Sequence, residues 1–304
     1  MSSVDLMAHG ALVLVLPPLL LGVITKTKAA FAGRVGAPFL QPYHDLVKLL
    51  RKGSVFSRTT TWVFQAGPVV GLATAFLAAL LIPIGGHPAP VSFEGDMVLF
   101  AYLLGLGRFF TVAAALDTGS AFEGMGGARE ATFSCLAEPA LFLGLAALVR
   151  TSGSLSLTGM LGPSLAATWP HAAASLVAVI VSLLIVVLAE NSRIPFDDPT
   201  THLELTMVHE VMVLDHGGPA FGMILYAAAM KLFVMGAVVV RIALPYDGAD
   251  PWSGRAVFVG GMLLLAVVIG VVESVMARLR LLQVPSLLVA ACVLSAFGVV
   301  LLAR

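Results

Sequence analysis

Runs of about twenty apolar residues recur along the chain and constrain its fold more than any other feature. A hydrocarbon core about 30 Å thick is crossed by an α-helix of about 20 residues. Eight such segments lie at approximately 8–26, 65–84, 97–117, 132–150, 171–190, 219–243, 256–276 and 284–303. Of the 304 residues, 59% are hydrophobic and 11% are charged, whereas a soluble domain carries about a quarter charged residues. The sequence predicts an all-α polytopic membrane protein, a single transmembrane domain over 1–304 with eight transmembrane helices.

The distribution of lysine and arginine predicts the orientation, because cytoplasmic loops of membrane proteins are enriched in these residues. The first connection carries Lys26, Lys28, Arg34, Lys48, Arg51, Lys52 and Arg58, and the third, fifth and seventh add Arg129, Arg193, Arg278 and Arg280. The other side has only Arg150, Arg241, Arg255 and Arg304. We therefore expect cytoplasmic odd-numbered connections and both termini on the periplasmic side. No basic stretch precedes residues 9–25, which indicates a first spanning helix rather than a cleaved signal.

Several functional classes are disfavoured by composition. The formal net charge is zero, so no overall field recruits nucleic acid. Cys135 and Cys292 are far apart, whereas zinc and iron–sulfur sites need clustered ligands, so we expect no cofactor in this chain. The three histidines of the fifth connection have the wrong spacing for one helical face, and a metal site there is not expected.

The segment "QPYHDLVKLLRKG" predicts a cytoplasmic amphipathic helix at about 41–52. Its apolar face holds Tyr43, Leu46, Val47, Leu49 and Leu50, and its polar face holds Asp45, Lys48, Arg51 and Lys52. Such a helix lies in the membrane interface or forms a docking surface for a partner. The sequence leaves both interpretations open.

Five ionisable residues fall inside or at the ends of the apolar segments: Arg108, Glu138, Glu190, Lys231 and Glu273. Each costs at least about 2.5 kcal/mol on membrane-insertion scales, so each suggests a function. A buried structural pair is the simpler interpretation for Arg108, and snorkelling to the interface is an alternative for Glu190 and Glu273. Lys231 lies about ten residues from either end of its segment, which is too deep for snorkelling and favours a functional role.

The fifth connection, at about 190–218, gathers acidic groups at the predicted cytoplasmic boundary. Its charged residues are Glu190, Arg193, Asp197, Asp198, Glu204, Glu210 and Asp215. Pro195 and Pro199 interrupt helical structure, and "HLELTMVHEVMVL" can resume as a helix. Burial and neighbouring like charges raise carboxyl pKa values, which suits proton uptake. The alternative is a solvated loop held by ion pairs.

Four motifs in chain order carry a resemblance to a known family. "AENSRIPFDDP" resembles the "AExxRxPFDLxE" signature of the subunit 1 family of membrane proteins in respiratory complex I. "GRVGAPFLQPYHDLVKLL", "SAFEGMGGAREATFSCLAEPAL" and "ARLRLLQVP" resemble its first loop, the approach to its fourth helix and its last basic turn. The stretch "RIPFDDPTTHLELTMVHEVMVLDHGGP" is more similar to the corresponding subunit of energy-converting group 4 [NiFe] hydrogenases, of the formate hydrogenlyase and hydrogenase-4 type.

The resemblance implies a non-catalytic membrane anchor and proton-coupling subunit in the bacterial cytoplasmic membrane. The implied partners are the [NiFe] large subunit, the Fe–S small subunit, antiporter-like membrane subunits and membrane lipid. The NiFe centre and the Fe–S clusters are expected in those partners. The predicted proton-path residues, of which the resemblance itself implies Glu138, Asp197 and Glu204, are Glu138, Glu190, Asp197, Asp198, Glu204, Glu210, Asp215, Lys231 and Glu273. The predicted interface or cavity residues, of which the resemblance itself implies Arg34 and Arg193, are Arg34, Gln41, Asp45, Arg129, Arg193, Arg278 and Arg280.

Departures from the family pattern favour the hydrogenase branch. Ala228 stands where complex I members carry a glutamate, with Lys231 one turn later, and residues 199–202 (PTTH) stand where complex I members carry further acids. Glu123 stands where a small residue is expected. The alternatives are a quinone-site subunit of a complex I-type dehydrogenase and a subunit of a nickel-free hydrogenase-related complex. A stand-alone transporter is disfavoured because no internal repeat is visible.

Overall fold

Ten α-helices and two short 3₁₀ turns make up the computed structural model over the residues that it describes, 3–197, 207–246 and 250–302. The helices are α1 (Ser3–Phe31), α2 (Gln41–Leu50), α3 (Trp62–Leu80), α4 (Asp96–Asp117), α5 (Ala121–Ser152), α6 (Leu157–Met160), α7 (Pro163–Glu190), α8 (Gly218–Ala243), α9 (Pro251–Val275) and α10 (Val284–Leu301). The 3₁₀ turns are Glu210–Val213 and Leu281–Gln283. No strand occurs in these ranges.

Eight helices in the described ranges are long and apolar enough to cross a membrane: α1, α3, α4, α5, α7, α8, α9 and α10. The predicted fold class is confirmed. Helix α5 begins at Ala121 rather than at 132, because Glu123, Arg129 and Glu130 make its first turns too polar for a hydropathy signal. Helix α7 begins at Pro163 rather than at 171, and it kinks at Ala172, two residues after Pro170.

Helix α8 lies at the centre of the bundle. It contacts α1, α2, α3, α7 and α9. It is also the most buried of the candidate spans, since 67% of its most apolar stretch is buried inside the protein. Glycine allows its close packing, since a Cβ at Gly236 would lie 2.8 Å from the Leu265 side chain of α9. In a bilayer the hydrophobic effect does not drive helices together, so they associate through close packing, and small residues at the contacts let the backbones approach. The side chains of α8 therefore meet partners from most of the bundle.

Contacts place the odd-numbered connections together on one side of the bundle, which we call the basic face. Gly218 at the start of α8 lies against the Gly53 carbonyl after α2, and the Leu279 amide after α9 donates to the Pro195 carbonyl after α7 at 2.9 Å. The Glu123 carboxylate of α5 accepts from the Asp215 amide at 3.1 Å. The cytoplasmic placement of this face is a prediction from the distribution of lysine and arginine.

Helix α2 runs along the basic face close to its predicted range. None of its residues is buried, and Leu49 packs on Gly222 of α8. The phenolic hydroxyl of Tyr43 donates to the Val15 carbonyl of α1. Burial raises the pKa of this phenol. Val47 and Leu50 are 48% and 56% exposed, so part of the apolar face remains uncovered.

The acidic connection forms a compact turn where the structure describes it. The Ile194–Pro195 bond is cis, and the Arg193 carbonyl accepts from the Phe196 amide at 2.8 Å. Downstream, the described part contains only the 3₁₀ turn Glu210–Val213, not the longer helix that the sequence allowed. Asp198 and Glu204, with the segment around them, lie outside the described residues.

Candidate functional site

Five charged side chains from four helices meet inside the bundle. They form what we call the Arg108 cluster: Arg108 of α4, Glu130 and Glu138 of α5, Glu190 of α7 and Lys231 of α8. Arg108 lies near the middle of α4, and its side chain is only 10% exposed. Burying charges at this depth is costly unless they are paired, which explains why opposite charges converge here.

The Arg108 guanidinium joins three carboxylates. Its Nη1 donates to Glu138 Oε1 at 2.5 Å, and its Nη2 donates to Glu190 Oε2 at 2.5 Å. Its Nε lies 3.6 Å from Glu130 Oε1, beyond hydrogen-bonding distance. The planar fork of arginine suits this role because its donors point in fixed, divergent directions.

Lys231 binds the same carboxylate oxygen as Arg108. Its Nζ lies 2.7 Å from Glu190 Oε2 and donates to the Glu190 carbonyl at 2.7 Å. Glu190 is the last residue of α7, and its side chain is 5% exposed. The lysine that the sequence marked as too deep for snorkelling therefore pairs with the acid that ends the preceding span.

The carboxylates differ in exposure. The Glu130 and Glu190 side chains are 12% and 5% exposed, whereas the Glu138 side chain is 47% exposed. Glu138 lies near the midpoint of α5, so its open side is the lateral surface of the bundle rather than either end. The cluster thus links buried carboxylates to a carboxylate on the lateral surface.

Three cavities adjoin these groups. The inner cavity, with an empty volume of about 750 Å³ that includes space open to solvent, lies beside Arg108, Glu130, Glu190 and Lys231. The bridging cavity, about 350 Å³, is lined by Glu130, Glu190, Phe196 and Asp197. The large cavity, about 1640 Å³, lies between α1, α2, α8 and the acidic connection, and its rim includes Lys28, Arg193 and Glu273.

Asp197 anchors the acidic connection. Its carboxylate accepts from Arg278 Nη2 at 2.8 Å, from the Val208 amide at 2.9 Å and from the His209 amide at 3.3 Å. The residue is only 2% exposed. The predicted proton-path acid Asp197 and the predicted interface cation Arg278 therefore form one buried pair beside the bridging cavity.

Glu273 forms a second ion-pair centre, apart from the Arg108 cluster. Its side chain is fully buried between Lys28 Nζ at 2.8 Å and Arg193 Nη1 at 3.4 Å. This centre ties α1, α9 and the turn after α7 together at the rim of the large cavity. Glu273 does not snorkel, because both cations reach it inside the protein.

Among the residues that the structure describes, the remaining predicted ones do not join the Arg108 cluster. Arg129 donates to the Met207 carbonyl at 2.9 Å, and Gln41 donates to Asp45 within α2 at 2.9 Å. Glu210 lies at the edge of the large cavity. The exposed members of the set are Arg34, Asp45, Asp215 and Arg280.

Four charged groups at these sites were absent from the predicted list: Arg108, Glu130, Lys28 and Glu123. The sequence favoured a buried structural pair for Arg108, and the structure shows Arg108 close to three acids rather than one. Glu130 lies eight residues before Glu138, a spacing that places both on one face of a helix. The predicted segment 132–150 excluded Glu130, so this spacing was not recognised as helical.

Near Glu123, His216 stacks on Phe64 with ring centroids 3.8 Å apart. Burial lowers the pKa of His216 to about 4, although the nearby Asp215 carboxylate acts in the opposite direction. The imidazole is therefore neutral at ordinary pH. In the parts of the chain that the structure describes, no group of three or more His, Cys, Asp or Glu side chains is arranged to hold a metal ion.

Comparisons with known proteins agree with the geometry. Residues 4–303 match the family model described as NADH dehydrogenase. The chain is 31% identical to formate hydrogenlyase subunit 4 of Escherichia coli (strain K12) over 277 residues, 87% of each chain. It is 28% identical to hydrogenase-4 component C of the same organism over 284 residues, covering 91% of this chain and 89% of that one.

The complex I branch and a solved structure are also similar. The chain is 30% identical to a subunit of the NADH-quinone oxidoreductase of Syntrophotalea carbinolica over 224 residues, which cover 69% of this chain and 66% of that one. A chain of the membrane-bound sulfane sulfur reductase, an archaeal respiratory membrane complex, superposes with a TM-score of 0.83 at 20% identity, covering 98% of this chain and 97% of that one. The resemblance read from the motifs is confirmed: the chain belongs to the NADH dehydrogenase family and is a multi-pass membrane subunit of a complex I-like complex.

Proposed function

We propose that this chain is the non-catalytic membrane anchor and proton-coupling subunit of an energy-converting [NiFe] hydrogenase complex in the bacterial cytoplasmic membrane. The similarity to formate hydrogenlyase subunit 4 and hydrogenase-4 component C supports this assignment. In this proposal the NiFe centre and the Fe–S clusters belong to the large and small partner subunits. The basic face, with α2 and the acidic connection, receives those subunits from the cytoplasm.

The observation that carries the coupling role is the bridge formed by Arg108. One end of its guanidinium holds the buried Glu190, and the other holds Glu138, whose side chain is 47% exposed at the middle of α5. A carboxylate that faces lipid is costly, by about 2.5 kcal/mol or more at the centre of a span. A neighbouring membrane subunit with a polar surface would cover Glu138, which makes this carboxylate the point of transfer to antiporter-like partners.

The bridging cavity supplies the other half of the route. It connects the buried Asp197 at the basic face to Glu130 and Glu190 in the cluster. Movement of the acidic connection during a redox reaction would change the surroundings of Asp197 and, through it, the proton affinity of the cluster. In this proposal protons pass from Asp197 through the cluster to Glu138.

Purification in mild detergent, with mass spectrometry and nickel quantification, tests the assignment to a complex. We expect a [NiFe] large subunit, an Fe–S small subunit, antiporter-like chains and nickel to co-purify. The same partners without nickel would assign the chain to a nickel-free related complex. Isolation of the chain without any partner would refute the proposal and favour a stand-alone transporter.

Glu138→Gln in the intact complex tests the coupling role. We expect normal assembly and electron transfer, but loss of proton translocation into proteoliposomes. Glu94→Gln is the matched control, because Glu94 accepts from the Leu155 amide at 2.7 Å on the opposite face, far from the cluster. Wild-type proton translocation in Glu138→Gln would remove Glu138 from the route.

The large cavity favours a second candidate, the quinone-site subunit of a complex I-type dehydrogenase. This cavity, whose volume of about 1640 Å³ includes space open to solvent, has apolar walls from α1 and α8 and charged residues in its lining, which suits an amphipathic ligand with a polar head. Ala228 and Ala229 line it. Stoichiometric quinone in the purified complex would establish this candidate, and a quinone-free, nickel-containing complex would exclude it.

A further inference from the structure

Glu130 stands at the junction of two spaces that the proposed route uses. It lines the inner cavity beside Lys231 and the bridging cavity beside Asp197. Glu190 lines both cavities as well, but two cations hold it. A carboxylate at this junction contacts whatever passes from the basic face into the cluster.

The pairing of Arg108 is uneven. Its two terminal nitrogens each lie 2.5 Å from an acid, Glu138 and Glu190. The Nε is buried and has no hydrogen-bond partner, although Glu130 Oε1 is 3.6 Å away. Leaving a buried donor of a charged group unsatisfied is expensive, so this N–H is available to a carboxylate that moves by less than an ångström.

The charges of the cluster do not balance. Glu130, Glu138 and Glu190 carry three formal negative charges when ionised, and Arg108 and Lys231 carry two positive charges. Uptake of one proton makes the cluster neutral, which lowers the cost of burial. Glu138 and Glu190 each lie 2.5 Å from a terminal nitrogen of Arg108, whereas Glu130 Oε1 lies 3.6 Å from Arg108 Nε, so Glu130 is the least closely paired carboxylate of the cluster.

We propose that Glu130 is the carboxyl group that takes up and releases the translocated proton, with Arg108 Nε–H as the group that favours its release. This inference rests on the proposed coupling function. The titratable groups that face Glu130 are Asp197 across the bridging cavity, His209 in the inner cavity and the other members of the cluster.

The bridging cavity's volume of about 350 Å³ counts all space between the lining atoms, including space open to solvent, and the part that a water molecule can occupy has room for about one. On uptake, the O–H bond of a protonated Asp197 breaks as the water gains a proton, and another O–H bond of the water breaks as the O–H bond of Glu130 forms. On release, the O–H bond of Glu130 breaks, an O–H bond forms on the Glu138 carboxylate, and the Glu130 carboxylate turns to accept from Arg108 Nε–H. No electron is transferred in either step.

Glu130→Gln and Glu123→Gln in the assembled complex test the proposal. Glu123 is the matched control, since it is a fully buried glutamate of the same helix whose hydrogen bond from the Asp215 amide a glutamine oxygen can replace. We measure infrared difference spectra in H₂O and D₂O during a pH titration, and proton translocation in proteoliposomes. We expect Glu130→Gln to lose one carboxylic acid C=O band and proton translocation while electron transfer continues. We expect Glu123→Gln to retain that same band, proton translocation and electron transfer.

Glu130→Asp separates protonation from packing. It keeps a carboxyl group with a shorter reach, so we expect the band to return with a shifted pH midpoint and partial translocation. An unchanged band in Glu130→Gln would overturn the assignment of Glu130 while leaving the proposed function intact. A wild-type complex that turns over without translocating protons would overturn the proposed function, and the pH titration of the band would still test Glu130 as a proton-binding group.

Discussion

Replacement of Lys231 by methionine separates a coupling role from a structural one. Lys231 Nζ is 2.7 Å from both Glu190 Oε2 and the Glu190 carbonyl. Methionine keeps an unbranched apolar stem of similar length and removes the ammonium group. The cavity walls can then remain packed, so the main change is electrostatic.

The magnitude follows from the shared oxygen. Removing one partner of a buried ion pair costs about 3–5 kcal/mol when the other charge is left alone. In Lys231→Met the Glu190 carboxylate keeps Arg108 Nη2 at 2.5 Å, so we expect a loss nearer ~2–3 kcal/mol. If this energy falls on the proton-transfer barrier, coupled turnover slows by roughly 30- to 150-fold.

Lys28→Met is the comparison for stability. Lys28 Nζ lies 2.8 Å from the buried Glu273, which keeps Arg193 at 3.4 Å after the change. Both variants therefore remove one of two cations from a buried carboxylate. We expect a comparable loss of thermal stability, but only Lys231→Met should lower the number of protons translocated per electron in proteoliposomes.

Two results would refute this reasoning. If Lys231→Met assembles and translocates protons like the wild type, the ammonium group has no part in coupling. If the variant fails to accumulate while Lys28→Met accumulates normally, Lys231 is structural, and the ~2–3 kcal/mol expected from the shared oxygen underestimates its contribution.

Three further predictions concern Arg278, His216 and Glu204. Arg278→Met removes the 2.8 Å bond to Asp197 and should lower stability by about 1.5–3 kcal/mol; an unchanged unfolding temperature of the complex would contradict this. Because burial lowers the pKa of His216 from 6.5 to about 4, the unfolded chain binds more protons between these values, and stability falls as pH drops through this range. In His216→Phe, up to about 3 kcal/mol of this loss in the free energy of unfolding should disappear. If the free energy of unfolding of the variant falls with decreasing pH as it does in the wild type, His216 is not the cause of the loss. Glu204→Gln should preserve assembly and reduce proton translocation, whereas normal translocation would remove Glu204 from the route.

Hydropathy predicted the spans because each must present apolar side chains along about 30 Å of lipid. The same signal failed at the start of α5, where Glu123 and Glu130 are buried by neighbouring segments rather than exposed to water. Mean hydropathy over a segment counts each charged side chain as polar and takes no account of the residues that bury it or pair with it. Helix α7 begins eight residues before the predicted 171, because the chain continues as a helix through Pro170 with only a kink at Ala172.

The cluster could be predicted in part. Sequence reasoning identified Glu138, Glu190 and Lys231 as costly in lipid, but it could not predict that one arginine joins α4, α5 and α7. The contacts span 30 residues between Arg108 and Glu138 and 82 between Arg108 and Glu190, separations that no local pattern specifies. The tertiary packing of α8 at the centre of the bundle decides which charges meet.

The Glu190–Lys231 pair also bears on how the chain enters the membrane during synthesis. An isolated α8 would carry an unpaired ammonium group into lipid at a cost of about 2.5–3.5 kcal/mol. Helix α7 leaves the ribosome just before α8 and presents its terminal carboxylate to the arriving lysine, while α5 follows α4 with two acids for Arg108. Each cation thus has a counter-charge on a sequence-adjacent span, which favours integration of these spans as helical hairpins rather than one at a time.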